Sequence, residues 1–242
     1  MEVLADFAAR HGITYPLLSD EGSRVIRALG LYNEHLAEQA RFYGREARPD
    51  QFGVPYPGIF RLDEQGRIVG KEFEQSYRVR PAPSLLLSGI SGGAQAQLAV
   101  CERVESNGVT LTAGVDSATY RPYERHQLHV TAQLDPGVHV YGAPVPDGYT
   151  ALEIAIAPFE GLDASPVQLP DPHPFRVVGL DEDFLVYEGV VDAVVPFNIV
   201  PHQEHATLSV TVRYQACTES ACFPPQEAIM EITLRGVDLI RD

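Results

Sequence analysis

Beyond Leu98 the chain is written in short runs where apolar residues take every second position. Leu128, Val130, Ala132 and Leu134 alternate with polar or smaller neighbours, and so do Leu208, Val210, Val212 and Tyr214. Side chains of a strand point alternately to opposite faces, so this spacing suits strands with one buried face and not a helix, whose faces repeat about every 3.6 residues. Strands are expected at Val109–Val115, Leu128–Leu134, Ala151–Ile156, Leu185–Val195, Thr207–Tyr214 and Ala228–Leu234, separated by Pro, Gly and Asp. Six or more short strands over about 140 residues predict an all-β sandwich.

The first part reads differently. Val3, Leu4, Phe7 and Ala8 share one helical face, with Gly12 placed to end the helix. Thr14–Leu18 reads as a short strand. Ser19 or Asp20 can cap a second helix carrying Val25, Ile26 and Leu29, and Gly30 can stop it. Gly58–Leu62 and Arg67–Phe73, joined by Asp63-Glu64-Gln65-Gly66, form a hairpin, and Ser84–Ile90 a last helix. Residues 91–97, Ser-Gly-Gly-Ala-Gln-Ala-Gln, have linker composition. The expected layout is an α/β domain at 1–90, a linker at 91–97 and the sandwich at 98–238.

Charge divides at nearly the same place. Up to Ser84 there are 11 basic and 12 acidic residues, and beyond it 7 and 21, for a net charge of −15 over the chain. Such an excess repels nucleic-acid phosphates and anionic membrane surfaces, and no apolar stretch reaches the length of a membrane span. Met1–Pro16 has no basic start followed by an apolar run and a small-residue cleavage site, so no export signal is expected in it. Three cysteines, Cys101, Cys217 and Cys222, allow at most one bridge within the chain.

Residues Phe7 to Asp20, reading FAARHGITYPLLSD, followed by Val54 to Asp63, reading VPYPGIFRLD, resemble the redoxin (AhpC/TSA, peroxiredoxin-like) family. That resemblance covers roughly Met1 to Ile90 and implies the later part of a thioredoxin-like fold, with Pro57 as its cis-proline. The first strands and the helix bearing the reactive cysteine would lie upstream, and no cysteine precedes Cys101. A thiol peroxidase needs a thiolate nucleophile, so no peroxidase activity is expected. The region reads either as the end of a longer domain or as a noncatalytic scaffold.

Chemistry concentrates in Val212 to Gln226, where Cys217 and Cys222 flank four residues between two expected strands. Cysteines at the two ends of a hairpin connection can bring their α-carbons within the roughly 4.4 to 6.8 Å a disulfide needs. Closing so short a loop gains little stability, which weakens a purely structural role, and accessible bridges are the ones that exchange with partner thiols. Spacing alone leaves a structural bridge, a redox pair, a metal site and unpaired thiols open. A zinc site would recruit His202 and His205, whose His-x2-His spacing misses the common finger pattern. Cys101 reads as a buried or incidental thiol. Glu219 sits between the cysteines and no Lys or Arg lies from Ala216 to Gln226, which favours thiol over thiolate.

Tyr214-Gln215-Ala216-Cys217 with Cys222-Phe223-Pro224-Pro225 resembles the N-terminal periplasmic domain of the thiol:disulfide interchange protein DsbD. Pro136 to Gly142, Pro146 to Tyr149 and Val186 to Gly189 follow in the order such domains have. The resemblance spans about Leu98 to Leu234. It implies an immunoglobulin-like sandwich relaying electrons by thiol–disulfide exchange with thioredoxin-like partners in the periplasm, without metal or organic cofactor. Cys222 would form the mixed disulfide and Cys217 resolve it, with His139 and Tyr141 beside the pair and a cap loop, Leu180 to Leu185 with Phe184, over it. The other reading is a noncatalytic interaction module with a structural disulfide.

Overall fold

The structure is a computed structural model that describes residues 2–42, 44–74, 76, 78–83, 97–176, 183–200 and 202–238. It divides into two compact units, Met1–Arg78 and Val79–Asp242.

In the first unit, helices α1 (Glu2–Arg10), α2 (Arg24–Ala28) and α3 (Leu36–Phe42) precede strands β1 (Gly58–Leu62) and β2 (Ile68–Phe73). The Asp20 carboxylate accepts the N–H groups of Val25 and Ile26 at 3.0 and 2.9 Å, the capping role its type suits. β1 and β2 form the expected antiparallel hairpin, with Asp63 Oδ1 accepting the N–H groups of Gln65 and Arg67 across the turn.

Three expectations for this unit fail. Thr14–Leu18 forms no strand, and Leu18 is 89% exposed: so short an apolar run finds no neighbouring strand to pair with. The Tyr56–Pro57 bond is trans; the cis bond among the described residues is Ala143–Pro144. The Pro57 carbonyl accepts the Glu74 N–H at 2.9 Å and so extends the β1–β2 ladder by one bond. No thioredoxin-like sheet is found either. Among the described residues the unit has one two-stranded antiparallel sheet and no buried apolar side chain, whereas a parallel sheet is buried on both faces. The helix expected at Ser84–Ile90 and nearly all of the linker at 91–97 lie outside the described residues.

The second unit is all β. Its strands are β3 (Arg80–Pro81), β4 (Val100–Ser106), β5 (Val109–Val115), β6 (Thr119–Tyr120), β7 (Glu124–Leu134), β8 (His139–Tyr141) and β9 (Glu153–Ile156). They continue with β10 (Leu162–Ala164), β11 (His173–Arg176), β12 (Asp183–Glu188), β13 (Val190–Ile199), β14 (His205–Tyr214), β15 (Ala216–Cys217) and β16 (Gln226–Gly236). One sheet runs β10-β13-β7-β5-β4, with β3 pairing parallel to β7. A second runs β6-β16-β14-β9 and a third β11-β12-β8-β15.

The alternation seen in the sequence makes the core. Leu128, Val130, Val195 and Phe197 of the first sheet meet Leu208, Val210, Met230 and Ile232 of the second, all 1% exposed or less. Each such side chain contributes roughly 1.5–3 kcal/mol of hydrophobic stabilisation. This two-sheet packing is consistent with an immunoglobulin-like sandwich. Leu185–Val195, expected as one strand, is two: Gly189, at φ +71°, turns the chain between β12 and β13, which belong to different sheets.

Candidate functional site

The third sheet is built two-faced by the period of its strands. In β8, Val140 points into the main core, while His139 and Tyr141 face the other way. β15 repeats the division with Ala216 in the core and Cys217 on the far side, and β12 does so with Tyr187 against Phe184 and Val186. The register places Cys217 opposite His139, Tyr141 opposite Val186, and Phe175 opposite Phe184. A small second cluster of Tyr141, Phe184, Val186 and Cys217 results, with Tyr149 and Phe175 packed against it.

Cys217 and Cys222 are joined by a disulfide, with α-carbons 4.0 Å apart. The Thr218 N–H donates to the Ala221 carbonyl and the Phe223 N–H to the Ala216 carbonyl, at 2.8 and 2.9 Å. Those bonds flank the cysteines and leave them a non-hydrogen-bonded cross-strand pair, the kind whose α-carbons approach most closely, at about 4.5 Å. This explains a separation just below the roughly 4.4 to 6.8 Å expected of a disulfide. The Thr218 hydroxyl closes the turn by accepting the N–H groups of Ser220 and Ala221. Gln215, 8% exposed, accepts the Thr150 N–H and donates to the Phe223 carbonyl, tying the cysteine hairpin to the loop that carries Tyr149.

The two cysteines differ in access: Cys217 is 1% exposed, whereas Cys222 is exposed. The Tyr141 hydroxyl lies 3.3 Å from Cys217 Sγ and 3.4 Å from Cys222 Sγ. Bridged sulfurs carry no proton, so the tyrosine O–H is the donor. Burial, and secondarily Tyr149, hold its acidity weaker than that of an ordinary tyrosine, so it keeps that proton.

His139 is 3% exposed, and its Nε2 is buried without a hydrogen-bond partner. Its ring centroid lies 4.5 Å from that of Phe175, tilted by 39°, and 5.9 Å from that of Tyr141, edge-on at 78°. Burial pushes its pKa below the ordinary imidazole value, with Glu188 opposing and His173 adding to the shift.

A cavity of about 590 Å³ opens over the disulfide. His139, Tyr141, Tyr149, Phe175 and Arg176 line it together with the turn from Cys217 to Cys222. The sequence reading places His139 and Tyr141 beside the cysteines, and there they are. Phe184 is a buried strand residue in the same cluster as Cys217, opposite Phe175 of β11 and packed on Tyr141 and Tyr149 at 5.3 and 5.0 Å. Of the expected cap loop, residues 180–182 lie outside the described residues.

Phe175 and Arg176 went unseen in the sequence. They stand some forty positions before the cysteines, in a four-residue strand whose alternation is too short to read. Arg176 supplies the cation that the cysteine segment lacks. Cys101 is exposed in β4, a strand at the end of its sheet, so of its two readings the buried one does not hold. His202 lies 3.8 Å from Asp238, and His205 is exposed opposite Arg235.

Among solved structures the chain is similar to the N-terminal periplasmic domain of ScsB from Proteus mirabilis, at 16% identity and a TM-score of 0.39, covering 59% of this chain and 52% of that one. It is similar to the N-terminal domain of Neisseria meningitidis DsbD in the reduced form at 16% identity and 0.33, covering 45% and 78%. The GAE domain of GGA2p from Saccharomyces cerevisiae gives 9% and 0.33, covering 54% and 96%. The chain thus spans about half the length of the ScsB domain it matches. No curated protein sequence matches it. The redoxin resemblance of residues 1–90 finds no support, since the matching family profile covers residues 112–234, over half of the chain and both bridged cysteines. Through that match the chain belongs to the family of the thiol:disulfide interchange protein DsbD, N-terminal domain.

Proposed function

We propose that the second unit is a thiol–disulfide exchange relay whose reactive centre is the Cys217–Cys222 bridge. One observation carries this reading: an unequally exposed disulfide sits in a cavity with one tyrosine hydroxyl within 3.4 Å of each sulfur. A structural staple needs neither the access nor the donor.

The exposed sulfur is the one a partner reaches. A partner thiolate attacks Cys222 Sγ, forming a mixed disulfide, and the Cys217–Cys222 bond breaks with its electron pair going to Cys217 Sγ. The Tyr141 O–H, already beside that atom, donates to the developing thiolate; charge-assisted hydrogen bonds are roughly twice as strong as neutral ones. In the reverse direction Cys217 attacks the mixed disulfide at Cys222 and releases the partner as thiolate. Two electrons pass and no metal or organic group takes part. The cavity suits a thioredoxin-like partner presenting a cysteine, and the acidic excess beyond Leu85 favours one with a basic rim.

The reduction potential of the pair tests the reading. Thiol trapping and mass spectrometry after equilibration in graded redox buffers should give a value above about −250 mV, in the range of exchange proteins. A value well below about −300 mV would identify a structural bridge in a noncatalytic interaction module.

A further inference from the structure

Opening the bridge creates a problem that the tyrosine does not solve. The electron pair arrives on Cys217, 1% exposed, inside an apolar cluster. An unneutralised thiolate is costly there. Tyr141 can donate a hydrogen bond but holds its proton more firmly than usual. Cys222, being exposed, can take a proton from water, whereas Cys217 needs one delivered.

Among the described residues lining the cavity, few side chains can carry a proton near neutral pH. Hydroxyls such as those of Thr218 and Ser220 are far too weak as acids, and a guanidinium is no proton donor. Glu219 is exposed in the cysteine turn, whereas Cys217 is buried. His139 remains. It stands directly across the ladder from Cys217, lines the same cavity, and is the one residue there with a buried polar side-chain atom that has no hydrogen-bond partner. None of the described residues hydrogen-bonds to Nε2.

We propose that His139 is the proton relay of the exchange: its imidazole accepts the proton of the partner's second thiol and passes it to Cys217 Sγ as the Cys217–Cys222 bond opens. The inference rests on the relay reading above and adds the path of the proton to it. The partner enters with one thiolate and one thiol. Its thiolate forms the bond to Cys222 Sγ, and Cys217 Sγ leaves with the electron pair. His139 takes the second thiol's proton and protonates Cys217. The partner's second sulfur, now a thiolate, attacks the partner's own sulfur in the mixed disulfide, and Cys222 departs as a thiolate that is protonated by water. The partner ends as a disulfide and this chain as a dithiol.

The surroundings suit a carrier that is neutral at rest. Phe175 and Tyr141 hold the ring away from water, and burial favours its uncharged form. Glu188 on β12 faces it across the ladder and favours a proton arriving, while His173 on β11 opposes one and is itself 3.4 Å from Glu188. Arg176 on β11, Tyr149 in the preceding loop and Glu219 in the cysteine turn complete the titratable and charged groups around the cavity.

Reduction of the bridge in the full chain by dithiothreitol, with the rate divided by the dithiothreitol thiolate concentration, tests this between pH 5 and 8.5. The wild-type rate should rise through an inflection below the ordinary imidazole value and then level. His139→Gln should remove the inflection and slow the reaction at pH 7 on the order of a hundredfold, the low end for a positioned acid–base group. An inflection that survives in the variant, or an unchanged rate, overturns the proposal. If the variant does not fold, NMR titration of His139 in the wild-type chain decides: a ring that never changes protonation state between pH 4 and 8 overturns it, and one that titrates below its ordinary value upholds it. A normal relay potential with an unchanged His139→Gln profile sinks the proton path alone. A structural-bridge potential sinks it together with the relay.

Discussion

At the scale of single residues, the site is a matter of which side chain has water and which does not. Cys222 has it and Cys217 does not, so in the proposed exchange the first is the electrophile and the second the leaving group. Tyr141 joins the two by donating toward both sulfurs. Its replacement by Phe keeps the ring that packs on Tyr149 and Phe184 and removes only the hydroxyl. Tyr141→Phe should slow reduction by a dithiol about tenfold, corresponding to a charge-assisted hydrogen bond of about 1.5 kcal/mol, with the thermal midpoint nearly unchanged. Stopped-flow reduction beside thermal melts checks this, and an unaltered rate would remove the tyrosine from the reaction. The tyrosine and the histidine were both legible in the sequence, through a short motif. Their direction was not, because a three-residue strand shows which faces alternate and not what lies on each.

At the scale of elements, the cysteine hairpin is held from below as well as closed at its tip. Gln215 donates to the Phe223 carbonyl of the returning strand and accepts from Thr150 N–H, so one buried amide joins three segments. Removing it in Gln215→Ala leaves a donor and an acceptor unpaired, at a cost of roughly 1–3 kcal/mol. It also loosens the relation between the hairpin and Tyr149. The expected outcome is a lower denaturation midpoint together with faster reduction of the bridge, measured by urea melts and thiol trapping. A slower reduction would mean that the clamp exposes the disulfide instead of restraining it. In the sequence Gln215 is one polar residue before a cysteine, and its two partners are 65 and 8 positions away. The long strands were legible because many alternating positions agree. β8, β11 and β15 were not, since with two to four residues each they are fixed by their neighbours in the sheet.

At the scale of the whole molecule, burial of histidines couples the sandwich to pH. His129, in the large sheet, has its pKa lowered by desolvation against the opposing pull of Asp116 and Asp192, and His139 is lowered likewise. A fold that keeps these rings neutral binds fewer protons than the unfolded chain, so the stability they allow is complete above their unfolded value of about 6.5 and is lost as pH falls toward the lower folded values. The denaturation midpoint should therefore drop between pH 7.5 and pH 5, and His129→Gln should flatten part of that drop; a midpoint that rises on acidification would contradict it. The division into units also belongs to this scale. Charge changes near residue 84 and linker composition lies at 91–97, whereas the second compact unit begins at Val79, where Arg80 and Pro81 pair with Glu124 and Arg125 of β7.

The sequence by itself determined the sandwich, since a period of two repeated over long strands sets which face of each is buried, and it brought two cysteines into one short hairpin while leaving their chemistry open. Only the tertiary structure decided which sulfur faces water, brought Phe175 and Arg176 over the bridge and left the His139 nitrogen without a partner. Those outcomes depend on contacts between strands far apart in the chain, where register and burial are set by the packed sheets and not by local spacing.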